Sequence, residues 1–138
     1  MKKNYFSLLL MTLVCAFAFT ACKKNNDGGL SAGDLLIAKQ PWTISSVIDE
    51  TNGGQDVTSS FSGKTANFAD GKYTHNLGSA TEAGTYELSG TTITLTPASG
   101  TAYAGSFTDV NVTADQLTFK VTVTSTKTGN VIYAVTMK

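Results

Sequence analysis

The feature that most constrains this sequence is a strict two-residue alternation between Gly84 and Pro97. Apolar residues occupy every second position of two short segments, and threonines and one glutamate fill the positions between them. Such alternation is typical of half-buried β-strands, whose successive side chains point to opposite faces. Ser89 and Gly90 separate the segments, and glycine adopts the positive φ of a tight turn at no steric cost. The stretch therefore predicts a β-hairpin. Its apolar members are Tyr86, Leu88, Ile93 and Leu95.

The same alternation recurs along the chain from Trp42 and predicts an all-β fold of eight antiparallel strands. The strands are expected at residues 42–49, 64–69, 72–77, the two arms of 84–97, 103–113, 116–125 and 131–137. Asp56 to Phe61 is expected to be a marginal edge segment. Closing the sheet would remove its exposed edges, which favours an eight-stranded up-and-down β-barrel. A two-sheet β-sandwich fits the same pattern and stays an alternative.

The N-terminal segment predicts export. Lys2 and Lys3 precede an apolar run from Phe6 to Phe19, which is shorter than the roughly 20 residues of a membrane span. We therefore expect a signal peptide at residues 1–21, a flexible glycine-rich tether at 22–33 and one folded domain at 34–138. Within that domain, Asp34 to Gln40 predicts a short helical turn, capped by Asp34, that plugs one end of a barrel.

The residues around Cys22 predict a lipid anchor. Phe19-Thr20-Ala21-Cys22 resembles a bacterial lipobox, in which the cysteine is acylated after the signal is cleaved. That resemblance implies a lipoprotein of the bacterial cell envelope that meets the membrane through lipid on Cys22. Lys23 differs from the aspartate that retains enteric lipoproteins in the inner membrane, so we expect the outer membrane, on either its periplasmic or its surface face. An ordinary signal peptide with a chance cysteine is the alternative.

Composition excludes several classes of function. The chain has no arginine, and removal of Lys2 and Lys3 with the signal leaves eight lysines against ten acidic residues. No positive field is then expected to attract nucleic acid. The two cysteines are Cys15 and Cys22, so residues 34–138 carry no disulfide, thiolate nucleophile or cysteine metal site. We expect no cofactor.

No side-chain arrangement predicts catalysis or a metal site, so the chain is expected not to be an enzyme. His75 is the only histidine and lacks the further ligands that a metal site requires, so we expect a solvated or hydrogen-bonded side chain near a strand end. Asp49 and Glu50 are adjacent and would point to opposite faces of a strand. Glu82 is expected on a loop and Glu87 on an outward face, which places no carboxylates in a catalytic pair.

Three stretches resemble the lipocalin-like domain of small Bacteroidetes lipoproteins. They are Trp42-Thr43-Ile44, the run Asn67-Phe68-Ala69-Asp70-Gly71-Lys72-Tyr73-Thr74, and Gly84-Thr85-Tyr86-Glu87-Leu88-Ser89-Gly90. The resemblance covers about residues 35–138 and rests on hairpin motifs without catalytic residues. It implies a small calycin-like barrel with an apolar interior site.

A barrel of eight strands has an interior that side chains can fill or that can hold one small ligand. The inward-facing aromatic residues are the candidate ligand-binding set for a small apolar molecule. They are Trp42, Phe68, Tyr73, Tyr86, Phe107, Phe119 and Tyr133. If these rings fill the barrel instead, the chain would be an envelope module that contacts a protein or a glycan, of unknown identity, through its loops.

Replacement of Cys22 by serine is expected to abolish metabolic labelling with palmitate, because the acyl chains require the thiol at that position. The measurement is incorporation of labelled palmitate by the full chain in a bacterial host. Cys15→Ser is the matched control and should keep its label. Persistent labelling of Cys22→Ser would place the lipid elsewhere.

Overall fold

The predicted strands pair into one antiparallel sheet in the computed structural model, which describes residues 29–126 and 129–138. The predicted signal peptide and Cys22 lie outside the described residues. None of the helices in the described residues is long and apolar enough to cross a lipid bilayer. The elements are helix α1 (Ala32–Ala38), strands β1 (Trp42–Asp49) and β2 (Gln55–Asp56), a 3-10 helix (Thr58–Phe61), and strands β3 (Thr65–Ala69), β4 (Lys72–His75), β5 (Glu82–Ser89), β6 (Thr92–Pro97), β7 (Ser106–Val112), β8 (Leu117–Ser125) and β9 (Gly129–Met137).

The sheet closes into a barrel because β1 pairs with both β3 and β9. Trp42 and Thr43 pair with β3, whereas Ile44 to Asp49 pair with β9. A register shift between Ile44 and Ser46 accompanies this change of partner. From β3 to β9 each strand pairs with the next in sequence, and the two-residue strand β2 adds to the edge of β1. The predicted eight-stranded up-and-down barrel is confirmed, with one extra short strand, and the sandwich is excluded.

Two tight turns fix the register of the hairpins that the sequence predicted. In the β5–β6 hairpin, Ser89 pairs with Thr92, and Gly90 has a φ of 57°. In the β3–β4 hairpin, Asp70 and Gly71 have φ values of 50° and 73°. Positive φ at both central residues, as in the β3–β4 turn, is the requirement of a type I′ turn, whereas the single positive φ of Gly90 is that of a type II′ turn.

The structure corrects three predicted segments. Of the marginal edge segment only Asp56 lies in a strand, together with Gln55 before it, because the Asp56 carboxylate accepts from the Thr58 N–H (2.9 Å) and starts the 3-10 turn. The third predicted strand ends at His75 rather than Leu77, since the Asn76 side chain accepts from the Thr65 N–H (2.6 Å). The sixth begins at Ser106, because the Tyr103 N–H donates to a side chain instead of a strand.

Helix α1 begins two residues earlier than the sequence predicted. Ser31, not Asp34, is the N-cap residue, and its hydroxyl oxygen accepts from the Asp34 N–H (3.2 Å). The Asp34 carboxylate accepts in return from the Ser31 N–H (3.1 Å), which completes a capping box. Two N–H groups that would otherwise lack partners at the start of the helix are thereby satisfied.

Helix α1 seals one end of the barrel, which we call the closed end. Leu36 is fully buried, and its carbonyl oxygen accepts from the indole N–H of Trp42 (2.9 Å). The same carbonyl accepts from the Gln40 amide (2.7 Å), whose oxygen in turn accepts from the Phe68 N–H (3.1 Å). The helix therefore plugs the barrel, as predicted, through both apolar packing and hydrogen bonds.

Aromatic side chains fill the middle of the barrel in contact with one another. The rings of Phe107 and Phe119 stack with their centroids 4.3 Å apart, and both side chains are buried. Phe68 and Tyr86 meet edge to face at 5.2 Å. Such pairs add roughly 0.5–1.5 kcal/mol beyond the area that they bury. The packing of this core therefore depends on large rings at fixed positions.

Truncation of Phe119 to alanine is expected to lower the free energy of unfolding by about 3–5 kcal/mol, because it removes a buried ring and leaves a cavity. Thr122→Ala, an exposed position of the same strand, should change it by no more than about 0.5 kcal/mol. Denaturant unfolding of both variants measures the difference. Equal effects at the two positions would contradict the strand register.

Candidate functional site

The end of the barrel opposite α1, which we call the open end, carries the loops that follow β4 and β6. Between these loops lies a cavity of about 410 Å³, the open-end cavity. Its wall includes one carboxylate and one phenol among small residues. The lining residues are Gly78, Ser79, Ala80, Thr81, Glu82, Ala83, Ala98, Ser99, Thr101 and Tyr103. The volume is sufficient for a small organic molecule.

Glu82 is the residue that joins the parts of this site. It is the first residue of β5, and its side chain is 12% exposed. One carboxylate oxygen accepts from the Tyr73 hydroxyl at 2.5 Å, and the other accepts from the Tyr103 N–H at 2.6 Å. The carboxylate thus ties strand β4 and the loop before β7 to the start of β5.

His75 lies directly behind Glu82 and is almost completely buried, with 2% exposure. Its Nε2 atom is 3.5 Å from a Glu82 carboxylate oxygen, but neither ring nitrogen makes a hydrogen bond within the described part of the chain. The ring stacks on Tyr73 at 5.4 Å and meets Tyr103 edge-on at 6.0 Å. A buried imidazole of this kind is costly to leave unpaired and is typical of functional positions.

The charge state of the site follows from burial. Burial lowers the pKa of His75, and the nearby Glu82 carboxylate opposes that change only in part. Burial raises the pKa of Tyr103 to about 12. The pKa of Tyr73 is raised first by burial and then by its hydrogen bond to Glu82. At neutral pH the carboxylate is therefore surrounded by uncharged rings.

Two glycines shape the walls of the site. A Cβ atom at Gly78 would lie 2.8 Å from the Tyr103 ring, so the loop can approach that ring only without a side chain. A Cβ atom at Gly84 would overlap the carbonyl oxygen of Thr96, because β5 and β6 cross closely there. Gly84 occupies the inward position between Glu82 and Tyr86, which brings the neighbouring strand close beside the cavity.

A second, larger depression of about 470 Å³ lies against β4, β5 and β6. It shares Ala83 and Ala98 with the open-end cavity, and Lys72 is its charged residue. The remaining lining is alanine, threonine, glycine, proline and the edge of Tyr73. This surface offers fewer directional contacts than the open-end cavity.

The seven aromatic residues predicted to bind a ligand separate into different parts of the barrel. Trp42, Phe68, Tyr73, Phe107 and Phe119 are buried, whereas Tyr86 and Tyr133 are half-buried against the same core. Only Tyr73 hydrogen-bonds to Glu82, and Phe107 reaches the His75 ring at 6.1 Å. Trp42 lies under α1 at the closed end. An apolar interior site formed by all seven residues stays a prediction.

Two sequence-based expectations about polar residues are wrong. His75 is buried rather than solvated, and Glu82 belongs to a strand rather than a loop. The sequence contained a signal for the burial of both side chains. His75 is two residues after the inward-facing Tyr73, and Glu82 continues the inward series of Tyr86 and Leu88. Extending the two-residue alternation to the polar positions would have placed both side chains inside.

Among known protein families, a model described as a lipocalin-like domain matches residues 37–119. The match begins near the end of α1, continues to Phe119 in β8 and covers more than half of the chain. It includes both Glu82 and His75. Among curated proteins, none matches this chain.

Acidification is expected to destabilise the fold through His75. Its ordinary pKa is 6.5 and burial lowers the folded value, so the unfolded chain binds the proton more readily. The stability conferred by the neutral ring is present above about pH 6.5 and is lost as the pH falls through the folded pKa.

Thermal unfolding of the wild type should therefore show a lower Tm at about pH 5 than at about pH 7. His75→Phe, which keeps a ring but cannot titrate, should show a smaller change, since the chain has no other histidine. Equal pH dependence in the two proteins would contradict this assignment.

Proposed function

Because the chain belongs to the lipocalin-like domain family, whose fold is of the ligand-binding type, we propose that it binds one small molecule in the open-end cavity. The protein acts from the bacterial envelope, where lipid on Cys22 holds it in the outer membrane. Its role is that of a binding protein rather than an enzyme.

One observation carries this proposal: the open-end cavity is lined by the Glu82 carboxylate, which lies 3.5 Å from a buried histidine, whereas stacked rings occupy the middle of the barrel. Glu82 lines the cavity, and both nitrogens of His75 behind it are without hydrogen bonds in the described residues. An apolar core alone would be more stable with a nonpolar residue at position 75. Polar groups retained at such a cost are commonly kept for recognition.

The ligand position that we propose differs from the apolar interior that the sequence suggested. The Phe107–Phe119 stack, with its centroids 4.3 Å apart, occupies the middle of the barrel. Phe107 also lies beside His75, so the aromatic core supports the site from below. Of the seven aromatic residues, Phe107 would then support His75, and Tyr73 would reach the site through Glu82.

The end of the barrel at which the polypeptide enters the folded domain supports a role at a membrane. Gly29 and Leu30 lead into α1 at the closed end, so an anchor at Cys22 would join the barrel opposite the cavity. The six residues between Cys22 and Gly29 could extend over roughly 20 Å. A tethered barrel would therefore keep its open end accessible to a ligand in the surrounding solution.

The arrangement of polar groups favours binding over catalysis. The Glu82 carboxylate is engaged by two donors, and it is the one carboxylate among the described residues that line the open-end cavity. The packed core supports one further candidate function, an envelope module that contacts a protein or a glycan through its loops and takes no small ligand. The two functions differ in whether the open-end cavity is occupied.

Native mass spectrometry of the full chain, isolated in detergent from bacterial membranes, tests the proposal. We expect a stoichiometric additional mass that organic extraction removes. Ser99→Trp places an indole at the wall of the cavity and should reduce this mass. Thr91→Trp, at an exposed turn of the closed end, is the matched control and should retain it.

A bare protein mass for the wild type, together with no uptake of an apolar fluorescent probe, would contradict small-ligand binding and favour the interaction module. A ligand retained by both tryptophan variants would place the binding site elsewhere in the barrel. In that case the interior aromatic residues become the next positions to mutate.

A further inference from the structure

The open-end cavity contains the Glu82 carboxylate, which forms no ion pair with a lysine among the described residues. The only basic side chain within ion-pair distance of the Glu82 carboxylate in the described residues is His75, at 3.5 Å. Burial lowers the pKa of that imidazole and favours its neutral form. Lys64 instead donates to the carbonyl oxygen of Gly78 (2.7 Å) and is not paired with Glu82.

The carboxylate also keeps unused hydrogen-bonding capacity. Each of its oxygens has two lone pairs, and the two recorded hydrogen bonds, from Tyr73 and Tyr103, use one on each oxygen. The side chain is 12% exposed and lines the cavity, so water can still reach part of it. A ligand that fills the cavity would remove this water and must replace it with donors.

From this geometry we infer that the ligand of the open-end cavity carries an ammonium group that binds Glu82 and an apolar body that packs beside Tyr103 and the alanines. The inference rests on the proposed function, because it assumes that this cavity takes a ligand. It names the chemical class of that ligand, a primary amine with a small apolar skeleton.

An ammonium group fits the site better than the other common polar groups. It supplies up to three donors and a positive charge, and it can also interact with the face of an aromatic ring such as Tyr103. A hydroxyl group supplies one donor without charge. A carboxylate would meet the charge of Glu82 with no arginine available in the chain to offset it.

The remaining wall fits an apolar body of modest size. Ala80, Ala83 and Ala98 present methyl groups, and Gly78 lies against the Tyr103 ring. The cavity of about 410 Å³ is large enough for a small ring system. The polar contact at Glu82 would fix the orientation of such a ligand.

The test uses three indole compounds that share one skeleton and differ in charge: tryptamine, the neutral alcohol tryptophol, and the anion indole-3-acetate. Binding to the full chain in detergent micelles is followed by NMR through the imidazole ring of His75. Since His75 is the only histidine, its signals are unambiguous, and its ring lies within 3.5 Å of the Glu82 carboxylate.

We expect saturable shifts of the His75 signals with tryptamine, and affinity for tryptophol and indole-3-acetate weaker by about tenfold or more, as loss of a hydrogen bond to a charged group implies. Glu82→Gln keeps the shape and one acceptor oxygen, replaces the other oxygen with an NH2 donor and removes the charge, and should bring the affinity for tryptamine close to that for tryptophol. Glu87→Gln, an exposed position on the outward face of the same strand, is the matched control and should change nothing.

Equal binding of the three compounds to the wild type would overturn the amine inference and leave small-molecule binding intact. Tighter binding of indole-3-acetate would also overturn it. Absence of binding by all three, with no co-purifying mass, would contradict the proposed function itself. The comparison among compounds needs no variant, so it stands even if Glu82→Gln fails to fold.

Discussion

The pairing of β1 with β9 is the constraint on which the rest of this structure depends. It joins residues near the two ends of the folded part of the sequence and removes the exposed edges that an open sheet would present. Without it, β1 and β9 would each expose unpaired backbone groups. Closure also gives the barrel an interior, so that the inward residues of every strand become neighbours. The packing of Phe107 against Phe119, and the burial of His75, both follow from it.

The two ends of the barrel are closed by different means. At one end, α1 places Leu36 over the core and accepts the Trp42 indole N–H, so apolar contact and hydrogen bonding act together. At the other end, loops replace the helix, and Glu82 holds them by accepting from Tyr73 and Tyr103. A carboxylate can serve this purpose because two donors compensate its partial burial. The same residue then supplies the charge of the candidate site.

Alternation in the sequence predicted most strand positions, because each strand buries one face, but it fitted a sandwich as well as a barrel. The pairing of β1 with β9 decided between them. The β5–β6 hairpin is the clearest case, since Tyr86, Leu88, Ile93 and Leu95 mark its inward side and Gly90 marks its turn. The site was not predictable in the same way. Glu82 and His75 are polar residues on inward positions, so hydropathy assigned them to the surface. The cost of burying them is offset by the hydrogen bond from Tyr73 to Glu82 and by the packing of Tyr103 against His75. Only the folded barrel brings these residues together.

Closure between β1 and β9 also determines when this fold can form. Local hairpins such as β3–β4 and β5–β6 can pair as soon as they are made, but β1 must wait for Tyr133 to Met137. Until then the inward faces of the earlier strands lack part of their cover, and Thr43 lacks its two backbone hydrogen bonds to Lys138. Folding dominated by such long-range contacts is slow. Before β9 has been synthesised the barrel is therefore still open, and its last step of folding joins the first strand to the last.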